Sequence, residues 1–131
     1  MTGNKHYALS REKLLALPYV FDGMGSEIVG NPFGFFPLPF AGYIRSVSLA
    51  CDVAPTLVDI DIQTCALADY PSGLASIVGS TPPTLEGVEQ MKDSLLTGWT
   101  TEFVADTVFK FIVLDTDTVK LIAVVLNVIR F

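Results

Sequence analysis

The last thirteen residues of the chain, 119–131, constrain the fold more than any other stretch. They are rich in β-branched residues and contain neither glycine nor proline, so they predict a strand. Successive side chains of a strand point to opposite faces of its sheet. Here both parities are apolar over the middle of the segment, and the charged Lys120 and Arg130 lie only near its ends. One face can fill a domain core, and the other needs a second cover, either another layer or another subunit.

The even-numbered parity of this segment is the one that we assign to an oligomer interface. Its members form an uninterrupted aliphatic row, made of Ile122, Val124, Leu126 and Val128. We therefore expect a strand that is buried twice, once in its own fold and once against other copies of the chain.

Earlier segments predict further strands of one all-β domain. Residues 46–53 alternate between apolar and polar side chains, and residues 58–63 alternate in the same way. Asp115, Thr116 and Asp117 predict a hairpin turn. Seven or eight short strands with such turns indicate an antiparallel β-sandwich, jelly-roll-like, with an extended N-terminal arm. At 131 residues the chain is one domain, divided here into an arm and docking segment at 1–40 and a sandwich at 41–131.

The N-terminal segment combines a polar arm with an unusual aromatic cluster. Ser10 is a candidate cap for a helical turn over residues 11–17, which Pro18 would end. Four phenylalanines follow within eight residues. If all four were left in water they would expose roughly 600–1,000 Å², more than the largest patch of about 300–600 Å² on a typical monomer. They are covered either by their own sandwich or by a neighbour. The residues predicted to dock on a capsid or a subunit are Leu14, Phe33, Phe35, Phe36 and Phe40.

Composition excludes several classes of function. Half of the residues are hydrophobic and only 17% are charged, which favours a buried interface as well as a core. The net charge of −6 argues against a nucleic-acid partner. The longest uncharged run, 28–44, contains three prolines and three glycines, so it predicts no membrane helix. A secretory signal is not recognisable either, and we expect synthesis in a cytoplasm.

No catalytic constellation is visible in the sequence. The single histidine, His6, lies in the arm, where the fold cannot hold it as a base. The Asp59/Asp61 and Asp115/Asp117 pairs are able to bind Ca²⁺, but a solvent-facing strand and a turn explain them more simply. Cys51 and Cys65 are either free or paired, and free thiols are favoured. We therefore predict no enzyme, no cofactor and no metal.

Five short motifs carry a resemblance to a known family. They are Val58-Asp59-Ile60, Tyr70-Pro71-Ser72, Pro82-Pro83-Thr84-Leu85, Leu96-Thr97-Gly98-Trp99-Thr100 and the segment 126–130. In this order and spacing the chain resembles small β-sandwich domains of tailed-bacteriophage virion proteins, of the decoration or fibre-tip type. Trp99 is the predicted anchor of the fold, because its large ring can plug one end of a sandwich.

The resemblance implies a structural role on the surface of a virion. Our leading hypothesis is a homotrimeric capsid decoration (cement) protein, made in the host cytoplasm, whose partners are its own copies and the major capsid protein or another virion protein. Neither nucleic acid nor a membrane is an expected partner. The alternative is the receptor-binding tip of a tail fibre or spike, which would recognise a host surface glycan through aromatics such as Tyr70.

Overall fold

The computed structural model describes residues 13–131, which form ten strands and their connections. The strands are β1 (Leu14–Asp22), β2 (Phe33–Leu38), β3 (Gly42–Cys51), β4 (Val58–Ala66), β5 (Ala75–Ser76), β6 (Thr84–Leu85), β7 (Gln90–Asp93), β8 (Glu102–Phe103), β9 (Thr107–Asp115) and β10 (Leu121–Arg130). Within these residues no helix is long and apolar enough to span a membrane.

Two antiparallel sheets pack face to face as a β-sandwich, as the alternating segments predict. Sheet 1 has the order β1-β10-β3-β7, with β8 pairing the start of β3. Sheet 2 has the order β2-β9-β4-β5, with β6 pairing the start of β4. Every pairing between these strands is antiparallel. The all-β, jelly-roll-like fold class is confirmed.

The segment that we predicted to be central to the fold is a middle strand of sheet 1. β10 lies between β1 and β3, and its even-numbered side chains face the opposite sheet. These side chains have no exposed area and belong to the core, which corrects their assignment to an oligomer interface: Ile122, Val124, Leu126 and Val128. The odd-numbered parity of β10 faces outward instead.

The predicted division at residue 40 is wrong for the part of the arm segment that the structure describes. β1 pairs along its whole length with β10, and β2 pairs with β9, so both strands belong to the sandwich. The helical turn predicted over residues 11–17 is not formed from residue 14 onward, because the apolar side chains there are used in a strand. Residues 1–12, with His6 and Ser10, lie outside the described part of the chain.

The predicted hairpin at Asp115, Thr116 and Asp117 is also corrected. β9 belongs to sheet 2 and β10 to sheet 1, so residues 116–120 cross from one sheet to the other. Val119 is fully buried in this crossing, and its carbonyl accepts a hydrogen bond from Ile28 N at 2.9 Å. The crossing therefore closes one end of the core.

The two outermost strands on one side of the sandwich contact each other through Tyr19 and Gly34. Tyr19, on β1, packs its ring 5.9 Å from the ring of Phe111 in the opposite sheet. Gly34, on β2, has no room for a side chain, because a Cβ there would collide with the ring and hydroxyl of Tyr19. Only glycine therefore lets the two sheets close at this edge.

Pro18 lies in the middle of β1, at a position where its missing N–H costs nothing. Arg130 N donates to Lys13 O at one end of the β1–β10 ladder, and Gly23 N donates to Lys120 O at the other. Bonded and non-bonded pairs alternate in an antiparallel ladder, so the odd-numbered residues of β1 bond to β10. The even-numbered residues, Pro18 among them, turn their backbone nitrogen toward the open edge.

The same arrangement recurs on β2 with Pro37. Val113 N donates to Pro32 O, so the even-numbered residues of β2 bond to β9 and the odd-numbered ones face the open edge. Both outermost strands on this side of the sandwich thus carry a proline that interrupts the row of free N–H donors. Such an edge resists pairing with another strand.

Candidate functional site: the two outer faces of the sandwich

The outer face of sheet 1 has a central area without charged side chains across three strands, which we call the uncharged face. Asp22, opposite Leu121, borders it at one end of β1. The residues of the uncharged face are directly opposite one another in the β1–β10 and β10–β3 registers. They are Leu14, Ala16, Pro18 and Val20 on β1, Leu121, Ala123, Val125, Asn127 and Ile129 on β10, and Tyr43, Ser46, Ser48 and Ala50 on β3.

The polar members of the uncharged face are small, and two of them bond to each other. Asn127 Nδ2 donates to Ser46 Oγ at 3.0 Å, which leaves neither group in need of a charged partner. An open groove of about 440 Å³ lies on the same side of the sheet, between β3 and β7, with Val125, Ser48 and Lys92 in its lining. Two cations adjoin the face: Lys92 on β7 is directly opposite Ser48, and Arg45 lines a second groove together with Ser46 and Asn127.

Three strands spaced about 4.8 Å apart and nine residues long cover roughly 400 Å². Within residues 13–131 nothing packs against this face, and Leu14 and Leu121 are 47% and 42% exposed. A patch of this size is in the range of functional surfaces on monomers and supplies about half of what each partner buries in a stable complex. The uncharged face is therefore suited to contact another protein chain, together with some additional surface.

The outer face of sheet 2 is different in character, because aromatic rings lie beside hydrogen-bonding groups. Phe33 and Phe35 project from β2 and are 56% and 47% exposed. The ring of Tyr70 stacks on Phe35 at 4.8 Å with an interplanar angle of 28°. Lys110, on the neighbouring β9, places its Nζ 4.3 Å from the centre of the Phe33 ring.

The polar part of this surface is a small hydrogen-bond network around Asp61 on β4. Ser76 Oγ donates to Asp61 Oδ1 at 2.6 Å, and Gln63 Nε2 donates to Asp61 Oδ2 at 3.1 Å. Gln63 is directly opposite both Lys110 on β9 and Ser76 on β5. We call the surface formed by Phe33, Phe35, Tyr70, Lys110, Asp61, Gln63 and Ser76 the aromatic strip.

The five residues predicted to dock on a partner are divided among three locations. Leu14 lies on the uncharged face, whereas Phe33 and Phe35 lie on the aromatic strip. Phe36 and Phe40 turn inward and pack against the core; Phe36 lies 5.5 Å from Phe111 in sheet 2. The last two are partly buried and pack on the core of their own chain, which corrects their assignment as docking residues.

Trp99, the predicted anchor of the fold, lies in the connection between β7 and β8. Its ring packs against the core, and its indole N–H donates to the carbonyl of Thr81 at 2.9 Å. The neighbouring Thr100 N donates to Ile77 O at 2.8 Å. Trp99 thus joins the loops at one end of the sandwich to each other.

The two cysteines are free thiols in different sheets. Cys51 ends β3 in sheet 1, and Cys65 lies on β4 in sheet 2. Burial raises the pKa of the Cys51 thiol, so the reactive thiolate form is disfavoured.

The aspartates of the Asp59/Asp61 and Asp115/Asp117 pairs have other neighbours in the structure than in the sequence. Asp59 is directly opposite Asp115 across β4 and β9. Asp61 belongs to the aromatic strip, and Asp117 Oδ2 accepts a hydrogen bond from Thr56 N at 2.6 Å. Across residues 13–131 no group of three or more His, Cys, Asp or Glu side chains is placed to hold a metal ion.

Two aspartates have shifted pKa values with opposite signs. Burial, and then the negative charge of Asp115, raise the pKa of Asp59, whose Oδ1 is buried without a hydrogen-bond donor in the described structure. On the far side of the crossing 116–120, the N–H groups of Lys120 and Leu121 donate to Asp52 Oδ1 at 3.0 and 3.2 Å. The Lys120 bond is the main cause that lowers the pKa of Asp52.

The sequence did not reveal the polar half of the aromatic strip. Gln63, Ser76 and Lys110 are far apart in the chain and lie in unremarkable contexts. The available signal was parity: Asp59, Asp61 and Gln63 occupy the outward positions of β4, and Lys110 is the single charge within the apolar run 108–113. The register that brings these positions together is a property of the fold.

No protein-family model matches the sequence, and no curated protein matches it. Among solved structures, the chain is similar to the crystal structure of PirA, with 8% identity, a TM-score of 0.47, and coverage of 85% of this chain and 92% of that chain. It is similar to the CBM32 of AlyQ in complex with 4,5-unsaturated mannuronic acid, with 14% identity, a TM-score of 0.47, and coverage of 84% and 75%.

A further similarity is to an archaeal virus protein with a triple jelly roll fold and turret assembly, with 4% identity, a TM-score of 0.46, and coverage of 89% of this chain and 28% of that chain. The chain spans 26% of the truncated AlyQ with CBM32 and alginate lyase domains. Similarity at this level says nothing about the ligands or partners of this chain.

Proposed function

We propose that the protein is a non-enzymatic structural component of a bacteriophage virion, a homotrimeric decoration (cement) protein on the capsid surface. The observation that carries this proposal is the uncharged face of sheet 1, which spans β1, β10 and β3 without an ionised side chain. Asp22 lies at the border of this face and not at its centre, so a net charge of −6 does not oppose contact through the central area.

A threefold arrangement follows if the uncharged face points toward the symmetry axis. The β1 half of one copy then meets the β3 half of its neighbour, and we propose that the ring closes with three copies. Pairing through the open edges is disfavoured, because Pro18 and Pro37 interrupt them. Local threefold positions of an icosahedral shell would accept such a trimer, with the major capsid protein as the second partner.

Binding to phage heads tests this role. Purified protein should bind emptied heads and raise their resistance to heat or EDTA. A charge placed on the central strand at Val125→Asp should abolish this binding, whereas Ile112→Asp, at the corresponding outward position on the middle strand of sheet 2, should leave it intact. If both variants bind heads as the unmodified protein does, assembly through the uncharged face is not needed for binding to the head, and the proposed role of this face is wrong.

The second candidate function is recognition of host glycan by a tail fibre or spike tip. The observation that favours it is the stacked pair of Phe35 and Tyr70, which is exposed beside hydrogen-bonding side chains. In this role the isolated protein would block adsorption of phage to cells and would not bind emptied heads.

A further inference from the structure

The aromatic strip is ordered by the register of sheet 2 into a row that changes from apolar to polar. Phe35, Lys110, Gln63 and Ser76 are directly opposite one another on β2, β9, β4 and β5. With adjacent strands about 4.8 Å apart, the row is about 14 Å long. Asp61 lies one row away, opposite Ile112, which in turn is opposite Phe33.

The apolar end of this row is formed by aromatic rings. Phe35 and Tyr70 turn one face toward each other, so a ligand ring can stack only on an outer face of the pair. Phe35 and Tyr70 are stacked at 4.8 Å, which fixes the orientation of both rings without burying them. Phe33 extends the apolar end along β2, and Lys110 Nζ lies over its ring at 4.3 Å. An exposed aromatic pair of this kind provides a large contact area with little loss of side-chain entropy on binding.

The polar side chains at the other end of the row are held in place before a ligand binds, and they can still form hydrogen bonds to it. The bonds from Ser76 and Gln63 to Asp61 hold three side chains in fixed positions. The amide oxygen of Gln63, the second lone pair of each Asp61 oxygen and the ammonium of Lys110 remain able to bond a ligand. Donors and acceptors therefore alternate within reach of the aromatic rings.

We propose, resting on the second candidate function, that the aromatic strip binds a saccharide whose ring stacks on an outer face of the Phe35–Tyr70 pair and whose hydroxyls bond to Asp61, Gln63 and Lys110. A sugar ring has an apolar face of C–H groups and a rim of hydroxyls that both donate and accept, which matches the two ends of the row. A protein partner fits less well, because charged side chains are depleted at the centre of protein interfaces. The acidic chain disfavours a nucleic acid, whose bases would also stack on such rings.

Amide chemical-shift mapping of the whole chain tests this site with three defined probes: cellohexaose, maltohexaose and hexagalacturonic acid. We expect cellohexaose to give the largest shifts, because its rings lie nearly flat, and we expect them at Phe33, Phe35, Asp61, Gln63 and Tyr70. Shifts from hexagalacturonic acid alone, concentrated at Lys110, would identify an acidic saccharide as the ligand. The absence of shifts at the aromatic strip with all three probes at millimolar concentration would overturn the proposal.

A matched pair of variants separates ligand contact from a general loss of structure. Tyr70→Ala should weaken binding of the active probe roughly three- to tenfold, in line with the loss of one stacking contact. Tyr43→Ala removes a comparably exposed tyrosine from the uncharged face, where it lies 6.0 Å from Phe131, and should leave binding unchanged. Equal effects of the two variants would contradict the assignment.

The saccharide site and the proposed docking face are on opposite sheets, so the two tests fail or succeed separately. If Tyr70→Ala abolishes binding to a purified virion protein while no probe shifts the strip, the surface is a protein interface and the saccharide proposal is wrong.

Discussion

Asp59 is the residue whose surroundings conflict most with its charge. Its Oδ1 is buried without a hydrogen-bond donor, and the carboxylate of Asp115 lies on the opposite strand. Burial and this neighbour both favour the protonated form and raise the pKa of Asp59. Because the raised pKa belongs to the folded state, protonation stabilises the fold, and this stabilisation is lost as pH rises through the folded-state pKa.

We predict that Asp59→Asn stabilises the protein at pH 7, because it removes a poorly solvated negative charge. The gain is up to about 1 kcal/mol and no more, because the carboxylate of Asp59 is partly exposed to water. The difference from the unmodified protein should shrink as the pH falls through the raised pKa of Asp59, where the carboxyl takes up a proton. Thermal unfolding measured over a pH series checks both parts.

Asp69→Asn, at an exposed loop position, is the matched control and should change the melting temperature little at any pH. A lower melting temperature for Asp59→Asn at pH 7 would contradict the assigned environment of Asp59.

At the scale of single residues, the sequence predicts which side chains face the core where apolar and polar residues alternate, but not within an aromatic run. The alternation over residues 58–63 correctly placed Ile60 and Ile62 in the core. In residues 33–36 the apolar side chains are Phe33, Phe35 and Phe36, so no polar position marks the outward side. Gly34 takes an inward position because Tyr19 occupies the space of its side chain, and this contact between distant segments is not visible in the sequence.

At the scale of elements, β1 is the strand that the sequence analysis missed. Leu15, Leu17, Tyr19 and Phe21 face inward, but the outward residues of β1 are nearly all apolar too, which conceals the alternation. Pro18 suggested the end of a helical turn, yet on an outermost strand its nitrogen faces the open edge and disturbs no hydrogen bond. A proline is tolerated in a strand at the edge of a sheet, and only the assembled sheet shows which strand lies at the edge.

We predict that Pro18→Val changes stability little but makes the protein aggregate into species larger than the proposed trimer. The substitution restores an N–H to the open edge of β1 and gives it an unbroken row of donors for pairing with another strand. Size-exclusion chromatography combined with turbidity at rising concentration measures the effect.

Ala16→Val introduces the same side chain at a neighbouring outward position on β1 and leaves Pro18 in place, so it should behave as the unmodified protein does. Equal aggregation of both variants would show that added hydrophobic area, and not the restored N–H, is responsible.

The two parities of β10 show a second limit to what the sequence predicts at the scale of elements. Both are apolar, so the sequence predicted that both faces are covered. It assigned the even-numbered side chains to an interface, whereas they lie in the core. One signal was available: Asn127 lies on the odd-numbered parity, and a polar residue at the centre of a strand marks the face that is not the core. The even-numbered residues fill the core, and Leu121, Ala123 and Val125 remain for a partner.

At the scale of the whole molecule, the two sheets present surfaces of different chemistry. Sheet 1 offers a flat face without charged side chains, and sheet 2 offers rings beside a hydrogen-bond network. A domain built in this way is able to hold a protein on one side and a smaller ligand on the other. The sandwich was predictable from alternation and turns, whereas the separation of these two chemistries required the strand order.

The central claim is that the uncharged face is covered by further copies of this chain. Static light scattering at micromolar concentration, on the full chain, tests it most directly. The unmodified protein should have three times the 14.2 kDa mass of one chain. Val125→Asp should fold normally and have the mass of one chain, because it places a charge in the contact, whereas Val124→Asp should unfold, because it places one in the core. A single-chain mass for the unmodified protein, or a trimer that survives Val125→Asp, would contradict the claim.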